Sequence, residues 1–317
     1  MPKLSVAKDS SSTMSRIRRD LTKNYQLYLL ILLPLAILIL FKYIPMYGIQ
    51  IAFRDFKITK GITDGRWVGL KYFKKFFNSP KAWTYIYNTL AISFYELALF
   101  PLSLVLALLL NYIPSVRYRK TIQMVSYAPH FISTVVMCGI ILQFLQARGG
   151  LINIILGLFG VQSRNWITYA SAFRHIYVWS GVWQNLGYDS IIYIAALASV
   201  SGELHEAAIV DGASLVKRIW HIDIPSILPT FCILLIMRCG SIMNVGFQKV
   251  LLLQNNLNLS ASEIISTYTY NIGLNSTGAA PQYSFGAAIG LFTSSVNLVL
   301  LVFVNTITKK LSGSGLW

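Results

Sequence analysis

The chain has 317 residues, of which 55% are hydrophobic and 12% charged, and its mean hydropathy is +0.57. Soluble domains carry about 25% charged residues, so this composition excludes an ordinary water-soluble globule and points to a protein solvated mainly by lipid. The net charge of +16 comes from 27 Lys and Arg against 11 Asp and Glu. These basic residues sit in tails and loops beside apolar runs, which implies anionic lipid headgroups and not nucleic acid as the partner.

In chain order, residues 1–24 read as a polar, basic cytoplasmic tail with Arg16, Arg18, Arg19 and Lys23. The apolar run that follows is too long for a signal-peptide core and has no small-residue cleavage site after it, so it reads as a retained anchor. Hydropathy gives six candidate transmembrane helices, at 25–48, 84–111, 121–146, 173–200, 227–252 and 283–308. The expected fold is all-α: one six-helix membrane domain over 25–308, closed by a short cytoplasmic tail at 309–317. Four short basic segments fall on one side of this layout. They are the N-tail, Arg117 with Arg119 and Lys120, Lys217 with Arg218, and Lys309 with Lys310. This places both termini inside, although the outer connection 49–83 is basic as well. Within that connection "GLKYFKKFF" interleaves aromatic residues with lysines. The pattern suits a segment lying on the membrane surface, and also one that steers an acidic solute or partner. Cys138, Cys232 and Cys239 all fall inside spans, where an odd number argues against a disulfide framework.

No phosphate-binding loop, HExxH pair or GxSxG elbow occurs, so the chain is not expected to be an enzyme, to hold a metal or to bind a cofactor of its own. Charged and polar residues inside spans are costly and face the protein interior or a water path. Span three carries Gln123, Tyr127, His130 and Thr134. Span four carries Gln184, Asn185, Tyr188 and Asp189. Span five carries Arg238, Ser241, Asn244 and Gln248 within about a third of the helix circumference. The last two groups are the candidate solute path, with donors, acceptors and rings suited to a sugar. Arg238 reads equally as a binder of an acidic solute and as a charge neutralised by Glu96 or Asp189. His130 has no second ligand at metal-binding spacing and reads as structural. In span six, Gly286-x-x-x-Gly290 is a helix-packing pattern.

The stretch "EAAIVDGASLVKRIWHIDIPSILP", residues 206–229, interrupts this oily sequence with charges, an Asp-Gly pair and two prolines. Its residues favour a short helix, a sharp turn at Asp211-Gly212, a second short helix over 213–222, and a fifth span opened by Pro225 and Pro229. The segment resembles the EAA loop of binding-protein-dependent ABC importers: E-A-A, three residues, G, nine residues, then I-x-L-P. Here that is Glu206, Ala207, Ala208, Gly212, Ile222, Ile224 and Pro225, with Ile224 departing from the usual Leu. Six spans and the stretch "SIIYIAALASVSGELHEAAIVDGAS" resemble the sugar-permease branch, and within it the membrane subunits that import polysaccharide fragments such as alginate oligosaccharides.

The resemblance implies a type I importer permease. It implies a homologous second permease, two ATPase subunits holding ATP and Mg and docking on residues 201–226, and an extracytoplasmic solute-binding protein. It also implies roles within the loop. Gly212 bends it, Ala207 and Ala208 allow close docking, Glu206 pairs with the ATPase or caps the local helix, and the stretch from Asp211 through Ala213 to Arg218 supplies contact. Two other classes remain as rivals. A secondary transporter or channel leaves the EAA pattern unexplained, and a membrane-bound transferase needs a reactive constellation that is absent. A permease for amino acids, phosphate or metal ions would share the motif.

Overall fold

The computed structural model describes residues 20–274, 282–313 and 315–317. Most of the N-tail, including Arg16, Arg18 and Arg19, lies outside them. The chain divides into two compact units, Met1–Val68 and Gly69–Trp317.

The first unit holds one long helix and a hairpin. Helix α1, Tyr25–Phe53, runs 29 residues. It changes pitch on the way, with a wide π turn at Ile39–Tyr43 and a tight 3₁₀ stretch from Tyr47. Pro45 cannot donate to the fourth carbonyl before it, and the wide turn falls where that bond is lost. No residue of Tyr25–Leu38 is buried, and Leu29 and Phe41 are 70% and 72% exposed. A helix apolar on every side suits lipid. Strands β1, Arg54–Lys57, and β2, Gly61–Trp67, then pair antiparallel. The Arg54 guanidinium lies over the Trp67 ring, and Phe53 stacks on the same ring.

The second unit is helical. It runs through α2 (Lys71–Phe77), α3 (Ala82–Asn111), α4 (Val116–Phe131), α5 (Thr134–Phe144), α6 (Leu151–Gly157) and α7 (Ala170–Ala198). Then follow α8 (Gly202–Val210), α9 (Leu215–Cys239), α10 (Phe247–Leu253), α11 (Leu259–Ser262), α12 (Ile265–Gly273) and α13 (Tyr283–Ser312). Helix α7 is central, touching α3, α4, α9 and α11, while α13 packs on α9, α12 and α2. One apolar cluster joins Ile92, Cys138, Phe173, Tyr177 and Val250 across α3, α5, α7 and α10. A second joins Phe76, Tyr85, Ile265, Phe285 and Ile289. Phe76, in the "KYFKKFF" segment, is therefore a core residue and not a membrane-surface ring, and Lys75 sits over Phe285 and bonds Gln282.

Among the described residues four helices, α1, α3, α9 and α13, are long and apolar enough to cross a membrane, and a fifth span arises if α4 and α5 count as one. Helix α7 is as long, but its polar side chains leave it outside that class. Two of the expected spans are broken. The third bends by 99° between α4 and α5, because Pro129 weakens the end of α4 and the Ser133 hydroxyl accepts the Val136 amide to start a new helix. Thr134 thus leaves the stripe of Gln123, Tyr127 and His130. The fifth ends at Cys239, and residues 240–246 form a turn before α10. Glycines close both ends of that turn. The amides of Gly240, Ser241, Ile242 and Asn244 bond carbonyls of residues 236–241, and two further backbone groups are met from outside. Asn297 Oδ1 accepts the Met243 N–H at 2.9 Å, and the Ser93 hydroxyl donates to the Ile242 carbonyl. Irregular backbone persists between apolar helices only when its polar groups find such partners.

The glycine pattern of span six is not a close contact within the chain. A Cβ on Gly290 would meet nothing within 4 Å, and one on Gly286 would make an ordinary contact with Thr269. A tight interhelical glycine is Gly187 on α7, where a Cβ would stand 2.2 Å from the Ser126 carbonyl oxygen of α4.

Candidate functional site

A cavity of about 520 Å³ lies between α3, α7 and α9, with Ser241 of the turn after Cys239 on its wall. Glu96, Asn185, Asp189, Arg238 and Ser241 line it, with Phe100, Ser103, Tyr193 and Met237. Arg238 Nη2 donates to Glu96 Oε2 at 3.0 Å. Of the two states the sequence allowed for Arg238, the structure holds the neutralised one, with Glu96 and not Asp189 as the partner. Asp189 is exposed on the cavity wall, and among the described residues no ion pair or hydrogen bond is made by its carboxylate.

The eight residues of the expected solute path do not form one stripe. Asn185, Asp189, Arg238 and Ser241 share the cavity. Asn244 lines a small adjoining recess with Glu96 and Arg238. Gln184 donates to the Ile132 carbonyl at 2.9 Å and so splints the bend between α4 and α5. Tyr188 stacks flat on His130, centroids 3.7 Å apart, and His130 Nδ1 lies 2.9 Å from Asn185 Oδ1. Gln248 is exposed on α10 and lines no part of the cavity. Treating span five as one continuous helix put Ser241, Asn244 and Gln248 on a face with Arg238, and the turn at 240–246 dissolves that face.

Several polar residues escaped the sequence reading. The buried Lys249 ammonium donates to the Tyr177 carbonyl at 2.8 Å and lies 4.6 Å over the Tyr177 ring. The Trp179 indole donates to the Tyr95 hydroxyl, which lies 3.0 Å from His175 Nδ1. Asn88 accepts from Arg174 and donates to the carbonyls of Ser260 and Glu263. The signal for Lys249 was a lone lysine in an apolar run. No such signal marks the Trp179–Tyr95–His175 chain, whose members come from two helices. Among the described residues no three His, Cys, Asp or Glu groups gather to hold a metal ion.

The second candidate region is the loop of residues 201–226. Ser201 caps α8 by accepting the Glu203 amide, so Glu206 does not cap that helix. At the other end Ala213 N–H bonds the Ala208 carbonyl at 2.8 Å and Gly212 N–H bonds the Ile209 carbonyl. This pair of bonds is a Schellman stop, which needs left-handed backbone one residue past the cap. Gly212 supplies it at φ +72°, as the Asp-Gly pair implied. Ser214 then caps α9 through the Lys217 amide. The second arm is not a separate short helix. It runs on from Leu215 to Cys239, with Pro225 and Pro229 inside it and a π turn at Ile219–Asp223 just ahead of Pro225.

This hairpin presents Glu206, Ala207, Asp211, Gly212 and Pro225 to the outside, with Ala208, Ala213 and Arg218 half-buried. Apolar side chains are exposed beside them: Val210 at 87%, Trp220 at 63% and Val216 at 61%. Behind the exposed face lies Asp223, wholly buried. Its carboxylate accepts the Tyr112 hydroxyl and lies 3.3 Å from His205 Nε2. Burial first, and then that carboxylate, push the Tyr112 hydroxyl up to about 12.

Residues 99–313 match the family described as binding-protein-dependent transport system inner membrane component. The chain belongs to this family. It is 40% identical over 308 residues to the protein LplB of Bacillus subtilis, covering 96% of this chain and 94% of that one. It is 37% identical to the polygalacturonan/rhamnogalacturonan transport system permease protein YteP of the same organism, covering 95% and 93%. Among solved structures, it is similar to a bacterial ABC transporter involved in the import of the acidic polysaccharide alginate, with a TM-score of 0.85, 35% identity and coverage of 93% and 99%. It is similar also to the bacterial alginate ABC transporter in complex with an alginate pentasaccharide-bound periplasmic protein, with a TM-score of 0.86 and 34% identity. The family member described here is a non-catalytic inner-membrane permease component with the type I importer fold.

Proposed function

We propose that this permease carries oligosaccharides, of an acidic class, into the cytoplasm, driven by ATP hydrolysis in partner subunits. The observation that carries this reading is the hairpin of residues 201–226, capped at both ends, turned by Gly212 and faced with exposed Val210, Val216 and Trp220. Apolar side chains held on a rigid polar-flanked hairpin favour a partner protein. In this reading the partner is an ATPase, ATP and Mg are held there, and Asp211 to Arg218 form much of the contact. A homologous second permease completes the solute path, an extracytoplasmic binding protein delivers the solute, six spans cross the inner membrane, and both termini lie inside. The likeness to permeases named for polygalacturonan and alginate supports an acidic sugar chain as solute. The cavity supports the sugar through Asn185, Ser241 and Tyr193. An acidic group would meet Arg238 beside Glu96, which already holds its Nη2.

A second reading rests on Asp189. Its exposed carboxylate stands on the same cavity wall as Arg238 and would repel a uronate, which suits a neutral, hydroxyl-rich solute. Mild solubilisation of native membranes followed by purification of this chain tests the frame: an ATPase and a second permease are expected to accompany it. Reconstituting that complex with its binding protein then decides the solute, since acidic oligosaccharides should outcompete neutral ones of equal length. Transport by this chain alone, without ATP, would overturn the proposal.

A further inference from the structure

The buried carboxylate of Asp223 has no role in the docking reading, and its surroundings give it one. Its side chain is 1% exposed. An ionised carboxylate in such a place persists only with a counter-charge and hydrogen bonds. Tyr112 provides the hydrogen bond from the residue just past the end of α3, 111 positions away in sequence. His205 Nε2, at 3.3 Å, provides the cation when protonated. His205 stands on α8 immediately before Glu206, and Asp223 stands on α9 immediately before Ile224 and Pro225, so both arms of the hairpin meet at one carboxylate. The Arg218 guanidinium, 5.9 Å from the centre of the Tyr112 ring, adds a further tie between α9 and the end of α3.

Among the described residues the backbone hydrogen bonds that join the two arms are those of the turn. The capping bonds at Ala208, Ile209 and Ser214 fix the turn itself, and they do not tie α8 to α3. We propose that His205, Asp223 and Tyr112 form a clasp that makes the hairpin rigid and fastens it to α3, so that a force applied at the exposed turn moves α3 and α9 together. Those two helices carry Glu96 and Arg238, and so the two sides of the cavity. The three are positioning residues, and the inference rests on the ATPase-docking reading of the hairpin. A clasp of this kind explains why a charged group is buried at the root of a segment that otherwise faces outward. It also places its effect on the coupling of two motions and not on either partner's binding.

The test uses the complete transporter, reconstituted with ATPase, second permease and binding protein, and follows solute moved per ATP hydrolysed. In Asp223→Asn and in His205→Gln the complex should assemble and hydrolyse ATP at near wild-type basal rate. Solute moved per ATP should fall about tenfold, a loss of about 1.4 kcal/mol of coupling. The charge-swapped pair His205→Asp with Asp223→His should recover much of it, which a merely structural role would not produce. If Asp223→Asn or His205→Gln fails to assemble, Tyr112→Phe carries the test, because it removes one hydrogen bond and keeps the His205–Asp223 pair. Unchanged solute per ATP in His205→Gln and Tyr112→Phe would overturn the clasp while leaving the importer standing. A wild-type complex that moves solute without hydrolysing ATP would sink the importer reading, and the clasp with it.

Discussion

Arg238 and Glu96 face each other at 3.0 Å across 142 residues of sequence, one from the last turn of α9 and one from the middle of α3. The pair is not deeply enclosed, with Arg238 half-exposed and Glu96 about a quarter. A pair of this exposure stabilises the fold by no more than about 1 kcal/mol. Its weight falls on the cavity's charge instead. Glu96→Gln removes the competitor for Arg238 and should raise uptake of acidic relative to neutral oligosaccharides several-fold, with little change in unfolding temperature. Arg238→Gln should do the reverse. Competition uptake with chains of equal length reads the ratio, and a ratio unmoved by both variants would remove Arg238 from solute recognition.

Gly212 separates backbone cost from docking cost. Its φ of +72° is one that residues with a Cβ adopt at about 1–2 kcal/mol, and a Cβ there would touch nothing within 4 Å. Gly212→Ala should therefore keep the hairpin and retain coupled uptake at reduced level. Gly212→Pro fixes φ near −65° and also removes the amide bonded to the Ile209 carbonyl. It should leave the protein in the membrane with ATP hydrolysis no longer tied to uptake. Full coupled uptake by the proline variant would mean that the turn is not the drive point.

The motif was legible because local chemistry writes it. An Asp-Gly pair after a short helix demands a left-handed turn wherever it sits, and Gly212 makes it. The apolar runs were legible for the same reason, through length alone. What failed was continuity. Hydropathy counts Gly240 and Gly246 as neutral letters in a long run, whereas the chain uses them to stop α9 and to begin α10. The stop is affordable only because Asn297 and Ser93, distant in sequence, satisfy the freed groups. Pro129 and Ser133 break the third span in the same way. The Glu96–Arg238 pair was visible as two charges in need of partners, but choosing Glu96 over Asp189 required the geometry. Asp223 was passed over because it sits inside a recognised motif, where it reads as one more loop charge until its burial is known.

Gly187 and Gly290 give opposite expectations for one substitution. A methyl group at Gly187 would collide with the Ser126 backbone, which cannot swing aside as a side chain can. Forcing it in should separate α7 from α4 at a cost of about 1–3 kcal/mol and strain the nearby Tyr188–His130 stack. At Gly290 the methyl meets open space and should leave the stability of the chain unchanged or slightly higher, by up to about 1 kcal/mol from helix propensity. Thermal unfolding of the two alanine variants in one detergent compares them directly. Equal losses would contradict the packing described.

Asn297 tests whether the break after Cys239 depends on its cap. The side chain is buried on α13, and its Oδ1 holds the Met243 amide at 2.9 Å. Asn297→Leu keeps a side chain of similar size and removes the acceptor, leaving a buried N–H unbonded at a cost of about 1–3 kcal/mol. Asn297→Asp keeps the acceptor. If the cap matters, the leucine variant should unfold earlier than the aspartate variant, and backbone amides of residues 241–246 should exchange faster in the leucine variant than in the parent. The lining of the cavity passes through this turn by way of Ser241, so the leucine variant should also weaken solute-stimulated transport. Were packing alone to hold the turn, leucine, the more apolar side chain, would be the better tolerated of the two, and exchange at Met243 would not change.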